Sequence, residues 1–349
     1  MKLSLSRKRR ARARWSYLSA LALLAVVAAP AQAAAARVGH RVGLQAFLLS
    51  SAPDSLVDLK AHAGSIHVVY PTYFNCEIPS GQITGADIPA ITSYARARDI
   101  AVMPRFNCQD GATVHQILTV AQTRAATLAR LAAIARNPLY GGLSLDLEND
   151  GGEDREALST FVAALARTLH AHHKKLSVVV DGLSGEEPAA AAGLYDYRAL
   201  SAAADSVFVL AWGAHWAGSA PGPIAPLAQA EAVVRYISSL PHASRFVLGA
   251  PMYGLDWAEG ATASQATAYE YSGIVALARS VGATPSRDSA SQEMTFSYTA
   301  AGVTHRVWYL DAHAVLALLR IGRAHGLAVG VWRLGGEDQR LWSSSLLLG

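Results

Sequence analysis

The sequence contains few cysteines and lacks the short motifs that mark several common kinds of enzyme. Only two of its 349 residues are cysteine, and neither a paired C-x-x-C nor an H-E-x-x-H occurs, so a zinc site has little support. The absence of G-x-S-x-G argues against an α/β-type serine hydrolase. No G-x-G-x-x-G follows a predicted strand, which argues against dinucleotide binding.

Positive charge is also scarce once the N-terminal segment is set aside. Seven of the 30 Lys and Arg residues lie within residues 1–14, which contain no acid, leaving 23 basic residues against 26 acidic ones. The formal net charge of +4 therefore becomes −3 for the rest of the chain. No basic patch remains to meet phosphates, so nucleic acid is not an expected partner.

The N-terminal segment has the layout of a secretory signal peptide. Its basic residues precede an apolar run at 18–29 and then Pro30-Ala31-Gln32-Ala33, an A-x-A-like cleavage site. We expect residues 1–33 to be removed and the protein to be secreted or extracytoplasmic. An uncleaved anchor is the alternative, although the run is short for a span of ~20 residues. No later run reaches that length, so we expect no stable membrane insertion after cleavage.

The two cysteines occur in similar contexts. Cys76 ends the sequence YFNC and Cys108 ends RFNC, each after an apolar run. An even cysteine count in an exported protein suggests a disulfide, and the ends of neighbouring parallel strands would be close enough to form one. A Cys76–Cys108 bond is therefore expected rather than a catalytic thiol.

Residues 34–349 are expected to form one α/β domain, because no linker rich in Pro, Gly or Ser interrupts them. Short apolar runs alternate with alanine-rich amphipathic stretches, and about eight such units in series are typical of a (β/α)8 TIM barrel. A doubly wound open sheet is the alternative. The candidate strands are 42–49, 65–70, 100–105, 142–148, 176–181, 206–211, 245–250 and 328–333.

The connection between the seventh and eighth candidate strands is too long for a simple loop. It contains a helical stretch at 272–281 and strand-like runs at 293–299 and 304–310. This pattern predicts a small α+β insertion, at approximately 258–306, that helps to wall a cleft at the top of the barrel.

The fourth candidate strand carries an unusual polar face. Its leucines alternate with Ser144, Asp146 and Glu148, and successive strand side chains point to opposite faces. The two carboxylates would lie roughly 6–7 Å apart, close enough for each to raise the proton affinity of the other. A catalytic pair and a satisfied structural pair are both consistent with this pattern.

In a barrel, chemistry takes place at the carboxyl ends of the strands. Aromatic and polar residues follow several of the predicted strands and would surround the carboxylates. Flat apolar rings stack on the C–H faces of sugars, so this collection favours a carbohydrate site. The candidate substrate-binding residues are Ser144, Asn107, Trp212, His215, Trp216, Tyr253 and Trp332.

Six segments resemble glycoside hydrolase family 18, in particular its bacterial spore-lysin and cell-wall branch. GLSLDLE at 142–148 is similar to the signature D-G-x-D-x-D-x-E on the fourth barrel strand of that family. Further matches follow in family order as far as the C-terminus, whereas the first three strands resemble the family only in outline. These matches lie at 194–200, 217–223, 248–254, 307–312 and 331–338.

The resemblance implies a substrate-assisted glycosidase that cuts next to N-acetylhexosamine units in peptidoglycan, chitin or a related exopolysaccharide. Glu148 would be the general acid, and the substrate's own N-acetyl carbonyl would be the nucleophile, an exception to the two-carboxylate scheme. Asp146 would orient the acetamido group and stabilise the oxazolinium ion. Trp332 would form the floor under the cleaved sugar. No metal or organic cofactor is implied, and we expect a monomer.

Several positions depart from the family pattern. The first signature Asp is Gly141 and the second is Ser144. Strand six, which reads Met-Ala/Thr-Tyr-Asp in the family, ends here on Trp212 and Gly213, so a tyrosine hydroxyl that would hold the acetamido oxygen is missing. The indole N–H of Trp212 is a donor only. Two other hypotheses therefore stay open: a lectin-like barrel that binds N-acetylated glycans, and a barrel whose carboxylates act on another sugar.

Overall fold

The computed structural model describes residues 43–148, 152–185, 193–259 and 266–347. The expected signal peptide at 1–33 lies outside these residues. Within them, no helix is both long enough and apolar enough to cross a membrane.

One large sheet runs through the described part of the chain. It contains eleven strands in the order β4-β3-β6-β7-β8-β9-β10-β16-β1-β2-β5. Apart from the antiparallel β3–β4 pair, its neighbours are parallel. The strands are β1 (Leu44–Leu48), β2 (Ile66–Pro71), β3 (Phe74–Cys76), β4 (Ile83–Gly85), β5 (Ala101–Val102), β6 (Arg105–Cys108), β7 (Gly142–Leu147), β8 (Lys175–Asp181), β9 (Ser206–Leu210), β10 (Phe246–Pro251) and β16 (Ala328–Trp332); β11 to β15 form a second sheet.

The sheet is a closed eight-stranded barrel in which two barrel strands are each interrupted once. β2 and β3 form the second barrel strand, and β5 and β6 form the third. On one side β5 pairs with β2, and on the other β6 pairs with β7. Beside the break, the N–H of Ser144 donates to the carbonyl of Pro104 (2.9 Å). Proline has no N–H for a ladder, which accounts for the interruption. The predicted barrel is therefore confirmed.

The predicted strands coincide with the observed ones to within about two residues, except for the second and third, which each continue in a further segment, β3 and β6. The third was expected to end at residue 105, but it resumes after Pro104 and continues to Cys108. Asn107 therefore lies on a strand rather than after one. Pro104 interrupts the pairing of the third barrel strand, and the local sequence pattern does not indicate that pairing resumes at Arg105.

Amphipathic helices cover the outside of the barrel. In α5, for example, the buried residues recur every three or four positions, and Asp110, Asp196 and Asp311 cap three other helices by accepting a backbone N–H. The helices are α1 (Pro53–Ala61), α2 (Pro89–Arg96), α3 (Gly111–Thr119), α4 (Ala121–Ala135), α5 (Arg155–His170), α6 (Tyr197–Ala203), α7 (Leu227–Ser238), α8 (Tyr271–Ser280, in the insertion) and α9 (Ala312–Ala324).

The barrel interior is filled by aromatic rings below the carboxyl ends of the strands. Phe47 contacts Tyr70 and Phe208, with ring centroids 4.9 and 5.0 Å apart. Phe208 fits because Gly249 and Gly330 are paired neighbours on β10 and β16. A Cβ on either glycine would come within 2.5 Å of the Phe208 ring. The interior is thus a packed core that supports whatever lies above it.

The predicted insertion between the seventh and eighth barrel strands is present. It contains a five-stranded antiparallel sheet, and α8 packs on this sheet through Ile274 and Ala278. The sheet begins at Gly254 and ends at Tyr309, so the insertion extends beyond the expected bounds of 258–306. Its strands are β11 (Gly254–Ala258), β12 (Thr267–Tyr269), β13 (Ser286–Arg287), β14 (Met294–Ala300) and β15 (Val303–Tyr309).

A buried carboxylate connects the insertion to the loop that follows β9. Glu293 is 0% exposed, and its two carboxylate oxygens accept the backbone N–H of Ile224 (2.9 Å) and of Ala225 (2.7 Å). The carbonyl of Ile224 in turn accepts the N–H of Gly213 (2.8 Å). Burial raises the pKa of Glu293 to about 7. This carboxylate therefore holds the loop that carries Trp212 and the residues after it.

The expected disulfide joins Cys76 on β3 to Cys108 on β6. The two strands are parallel neighbours in register, with Asn75 opposite Asn107, so the next pair of residues also lies side by side. The Cα atoms of the cysteines are 5.2 Å apart. The bond thus fixes the β3–β4 hairpin against the third barrel strand.

Removing this disulfide should destabilise the barrel measurably. The bond closes a loop with a sequence separation of 32, for which loop-closure entropy predicts a loss of about 2–4 kcal/mol. We expect C76S/C108S to unfold at a lower urea concentration than the wild type, as followed by circular dichroism. The reduced wild type should match the variant. An unchanged midpoint would show that the link does not contribute to stability.

Replacing Glu293 tests the connection between the insertion and the loop. In E293A two buried N–H groups lose their acceptor, at about 1–3 kcal/mol each. E293Q keeps one acceptor and cannot ionise. Because the folded-state pKa is raised, the stability contributed by the protonated Glu293 is present below pH 4.5 and is lost as the pH rises to about 7.

We therefore expect E293Q to become more stable relative to wild type between pH 5 and pH 8. Chemical denaturation at several pH values measures this difference. A difference that stays constant over the range would contradict the raised pKa. Wild-type stability of E293A would contradict the structural role of the carboxylate.

Candidate active site

The period-two pattern of β7 places its polar residues inside the barrel mouth. Leu143, Leu145 and Leu147 belong to the core that packs against the helices. Asp146 lies on the opposite face and is 1% exposed, whereas the side chain of Glu148, just past the end of the strand, is 20% exposed. One carboxyl group is thus buried, and the other reaches the surface of the cleft.

A buried arginine joins the two carboxyl groups. Arg105, the first residue of β6, is 6% exposed, and its Nε donates to Asp146 Oδ2. Its Nη2 donates to Asn107 Oδ1 (2.8 Å) and makes a longer contact with Glu148 Oε1 (3.4 Å). Gln109 Nε2 donates to the same oxygen of Glu148 (3.0 Å). Both carboxyl groups therefore have fixed hydrogen-bond donors before any ligand binds.

The electrostatics of the site reflect burial opposed by this cation. The net effect is a pKa of Asp146 above its ordinary value, because burial and the nearby Glu148 together outweigh the Arg105 guanidinium, which lowers it. Desolvation by surrounding atoms, followed by the charge of Glu148, raises the pKa of Asp181 to about 6, although its side chain still reaches solvent. Burial, with three nearby carboxylates, also raises the pKa of Tyr195, whose hydroxyl donates to the carbonyl of Leu147 (2.8 Å).

A cavity of about 200 Å³ opens above the aromatic interior. Trp332 lies at its base, with its ring centroid 5.1 Å from that of Phe47. Aromatic, aliphatic and acidic side chains converge on this space, a composition suited to a sugar ring. Its lining residues are Phe47, Arg105, Gln109, Asp146, Glu148, Val179, Leu210, Trp212, Tyr253 and Trp332.

A second cavity of about 680 Å³ continues from the first toward the insertion. The two share Gln109, Tyr253 and Trp332, and we call them together the cleft. Trp216, which is 59% exposed, stands at the wall of the second cavity. The remaining lining residues include an ion pair between Arg333 and Glu270 of the insertion.

The structure brings together most of the predicted site residues. Five of them line the first cavity and Trp216 lines the second, while three line neither. Asn107 accepts from Arg105 beside the cavity. Ser144 is buried, and its hydroxyl has no hydrogen-bond partner within the described residues. His215 Nδ1 donates to the carbonyl of Ala220 (2.8 Å) on the loop after β9.

Several other residues line the cleft although the sequence patterns do not mark them as site residues. Arg105 is the last residue of the third predicted strand, 100–105, and its sequence context assigns it no role. It lies two residues before Asn107, and the alternation of β6 would have put both on the same face. Gln109 follows that strand, and Phe47 faces inward from β1. Tyr269 and Glu270 come from the insertion, and no local motif marks them; Arg333 follows β16 within the matched segment 331–338, which assigns it no role.

Chemically, the cleft offers carboxyl groups suited to acid–base catalysis. Within the described ranges, no group of three or more His, Cys, Asp or Glu side chains could hold a metal ion. A partly exposed carboxyl group can protonate a leaving oxygen, and a buried carboxylate behind it can stabilise positive charge. A flat ring at the base can hold a sugar between them.

The comparisons with known proteins agree with this geometry. The model of glycosyl hydrolases family 18 matches residues 56–337. The cortical fragment-lytic enzyme of Bacillus subtilis is 26% identical over 216 residues, which cover 60% of this chain and 49% of the relative. The uncharacterized glycosylase YvbX of the same organism is 26% identical over 275 residues, covering 76% of this chain and 80% of the relative.

Solved structures show the same relationship. A chitinase from Chromobacterium violaceum has a TM-score of 0.77 at 28% identity, covering 86% of this chain and 96% of its own. The chain spans about half the length of the cortical fragment-lytic enzyme and of another Bacillus subtilis relative, YdhD. The resemblance seen in the sequence motifs is thus confirmed. Because the family match covers most of the sequence, the chain belongs to glycosyl hydrolases family 18.

Proposed function

We propose that the protein hydrolyses glycosidic bonds next to N-acetylhexosamine units, in peptidoglycan, chitin or a related exopolysaccharide. The observation that carries this proposal is the arrangement of Glu148 and Asp146 over Trp332 in one cavity. Relatives named as a chitinase and as a cortical fragment-lytic enzyme support this substrate class. N-acetylated glycans of this kind are the proposed partner.

The proposed reaction proceeds in two steps with retention of configuration. Glu148 gives its proton to the glycosidic oxygen while the carbonyl oxygen of the substrate's acetamido group bonds to the anomeric carbon. The leaving sugar departs with that proton, and an oxazolinium ion remains. Water then attacks the anomeric carbon and gives a proton to the Glu148 carboxylate, while the bond from that carbon to the acetamido oxygen breaks and restores the N-acetyl group.

Asp146 supplies the negative charge that the oxazolinium ion requires. The carboxylate is buried, so its interaction with a nearby cation is little weakened by water. Its second oxygen, Oδ1, has no hydrogen-bond partner within the described residues. This oxygen is the acceptor that we assign to the acetamido N–H.

Tyr253 is the candidate replacement for the hydroxyl that family members carry on strand six. It lines both parts of the cleft, beside Trp212. Burial raises the pKa of Tyr253, so its hydroxyl keeps its proton and can donate at neutral pH. We assign it the hydrogen bond to the acetamido oxygen.

A glycan-binding barrel without activity is the second candidate. The observation that favours it is Trp212 with Gly213, where the family has Tyr-Asp. Retention of both Asp146 and Glu148 favours the enzyme, because a binding module does not need the acid.

We also propose that the protein acts outside the cytoplasm. The N-terminal segment at 1–33 supports this proposal, because its basic and apolar parts are those of a signal peptide. The disulfide between Cys76 and Cys108 is consistent with an oxidising compartment.

Hydrolysis of fluorogenic N-acetylglucosamine oligomers and of purified peptidoglycan tests the catalytic proposal. E148Q should lose most turnover, by a factor on the order of 10² to 10⁴, because Gln cannot supply the proton. E231Q is the matched control, since Glu231 is exposed on α7 and lines neither cavity. Glycan binding by wild type and E148Q without turnover in either would favour the binding module.

Tyr253→Phe tests the proposed hydrogen bond to the acetamido oxygen. We expect kcat to fall by a factor on the order of 10², because the lost bond strengthens as the carbonyl attacks. Y94F removes a tyrosine hydroxyl away from the cleft and should leave kcat unchanged. Full activity in Y253F would place the donor elsewhere, with the Trp212 indole as the next variant to measure.

A further inference from the structure

Arg105 is a buried cation at a place where the barrel itself does not require one. Removing a guanidinium from water costs several kcal/mol unless good partners replace the water. Arg105 has three polar partners, all in or beside the cleft: Asp146, Asn107 and Glu148. Its Cζ also lies 5.1 Å from the ring centroid of Trp332, within cation–π range. One side chain therefore contacts both carboxyl groups and the floor.

The neighbouring strand explains why a partner for Asp146 has to come from β6. Arg105 is the register partner of Ser144, the position where the family signature has its second acid. Ser144 carries no charge, and its buried hydroxyl has no hydrogen-bond partner within the described residues. The side chain at position 144 of β7 thus gives Asp146 no charged or hydrogen-bonding partner.

We propose that Arg105 is a positioning residue that holds the Asp146 carboxyl group in place, favours its ionised form and orients Glu148 beside it. The Nε arm of the guanidinium holds Asp146, and the Nη2 arm spans Asn107 and Glu148. The planar fork fixes these directions relative to each other, which a lysine ammonium cannot do. The catalytic consequence of this role rests on the proposed function, but the charge state of Asp146 does not.

The surrounding charges determine the direction of the expected effect. Besides Arg105, the titratable groups around the carboxyl pair are Glu148 itself and Tyr195, which both interact with Asp146, and Asp181 at the end of β8, which interacts with Glu148. Glu148, Asp181 and Tyr195 cannot carry positive charge. Among these groups and Arg105, only Arg105 opposes protonation of Asp146. Removing its charge should shift the titration of Asp146 to higher pH.

The experiment is a pH titration of the aspartate carboxyl groups by ¹³C NMR in wild type, R105M and R105K, with D146N to assign the Asp146 signal. R105M keeps an apolar stem but no charge, and we expect its Asp146 midpoint to rise by at least about one pH unit. R105K keeps the charge and should lie nearer to wild type. This readout does not depend on turnover.

Turnover measurements then connect the charge to catalysis. In R105M we expect kcat to fall on the order of 10²-fold with a smaller change in KM. Both limbs of its pH–activity profile should move to higher pH, whereas R105K should recover the wild-type profile in part. A purely structural role for Arg105 would lower activity without moving the profile.

An unchanged Asp146 midpoint in folded R105M would overturn the proposal, whatever the turnover. If R105M does not fold, S144D decides instead. An acid opposite Arg105 competes for the guanidinium and should also raise the Asp146 midpoint, and no rise would contradict the proposal. An inactive wild type with a shifted midpoint in R105M would reject the proposed function while supporting the role of Arg105.

Discussion

A carboxyl group buried inside the mouth of a barrel is the constraint on which this structure depends. Asp146 is almost completely buried, and a buried carboxylate persists only where other groups replace water around it. Arg105 does so from the third barrel strand, and it reaches Asp146 because the broken third strand resumes beside β7. The aromatic rings of the barrel interior pack below Arg105 and Asp146. Trp332 contacts both Phe47 of this interior and the Arg105 guanidinium.

Much of the fold could be predicted because the relevant signals are local. Alternation along residues 142–148 predicts which face of the strand carries Asp146, and the apolar runs predict the barrel. The contact between Arg105 and Asp146 joins two strands 41 residues apart, and no local pattern encodes it. The same holds for Glu293, whose partners lie 69 and 68 residues away. Ser144 and His215 stood in plausible sequence positions, but their side chains line neither cavity.

The departures from the family pattern lie on or beside two barrel strands, and Trp212 is the one that lines the cleft. Trp212 and Gly213 occupy the place of a hydroxyl and a carboxylate, and Ser144 occupies that of another acid. The site thus has fewer acidic groups than the family signature, and Arg105 places a buried cation beside Asp146. Tyr253, just past the end of the adjacent barrel strand, lines the cleft beside Trp212, and Glu293 holds the loop that carries Trp212. A glycosidase with this arrangement depends more on fixed geometry than on shared protons between carboxyl groups.

The most direct test of the account is the anomeric configuration of the first product. ¹H NMR can follow the anomeric protons during hydrolysis of an N-acetylglucosamine oligomer, with the corresponding deacetylated oligomer as the control. If the acetamido group is the nucleophile, the β-anomer appears first and the deacetylated oligomer is not cut. Appearance of the α-anomer first, or equal cleavage of both oligomers, would contradict substrate-assisted catalysis by Glu148 and Asp146.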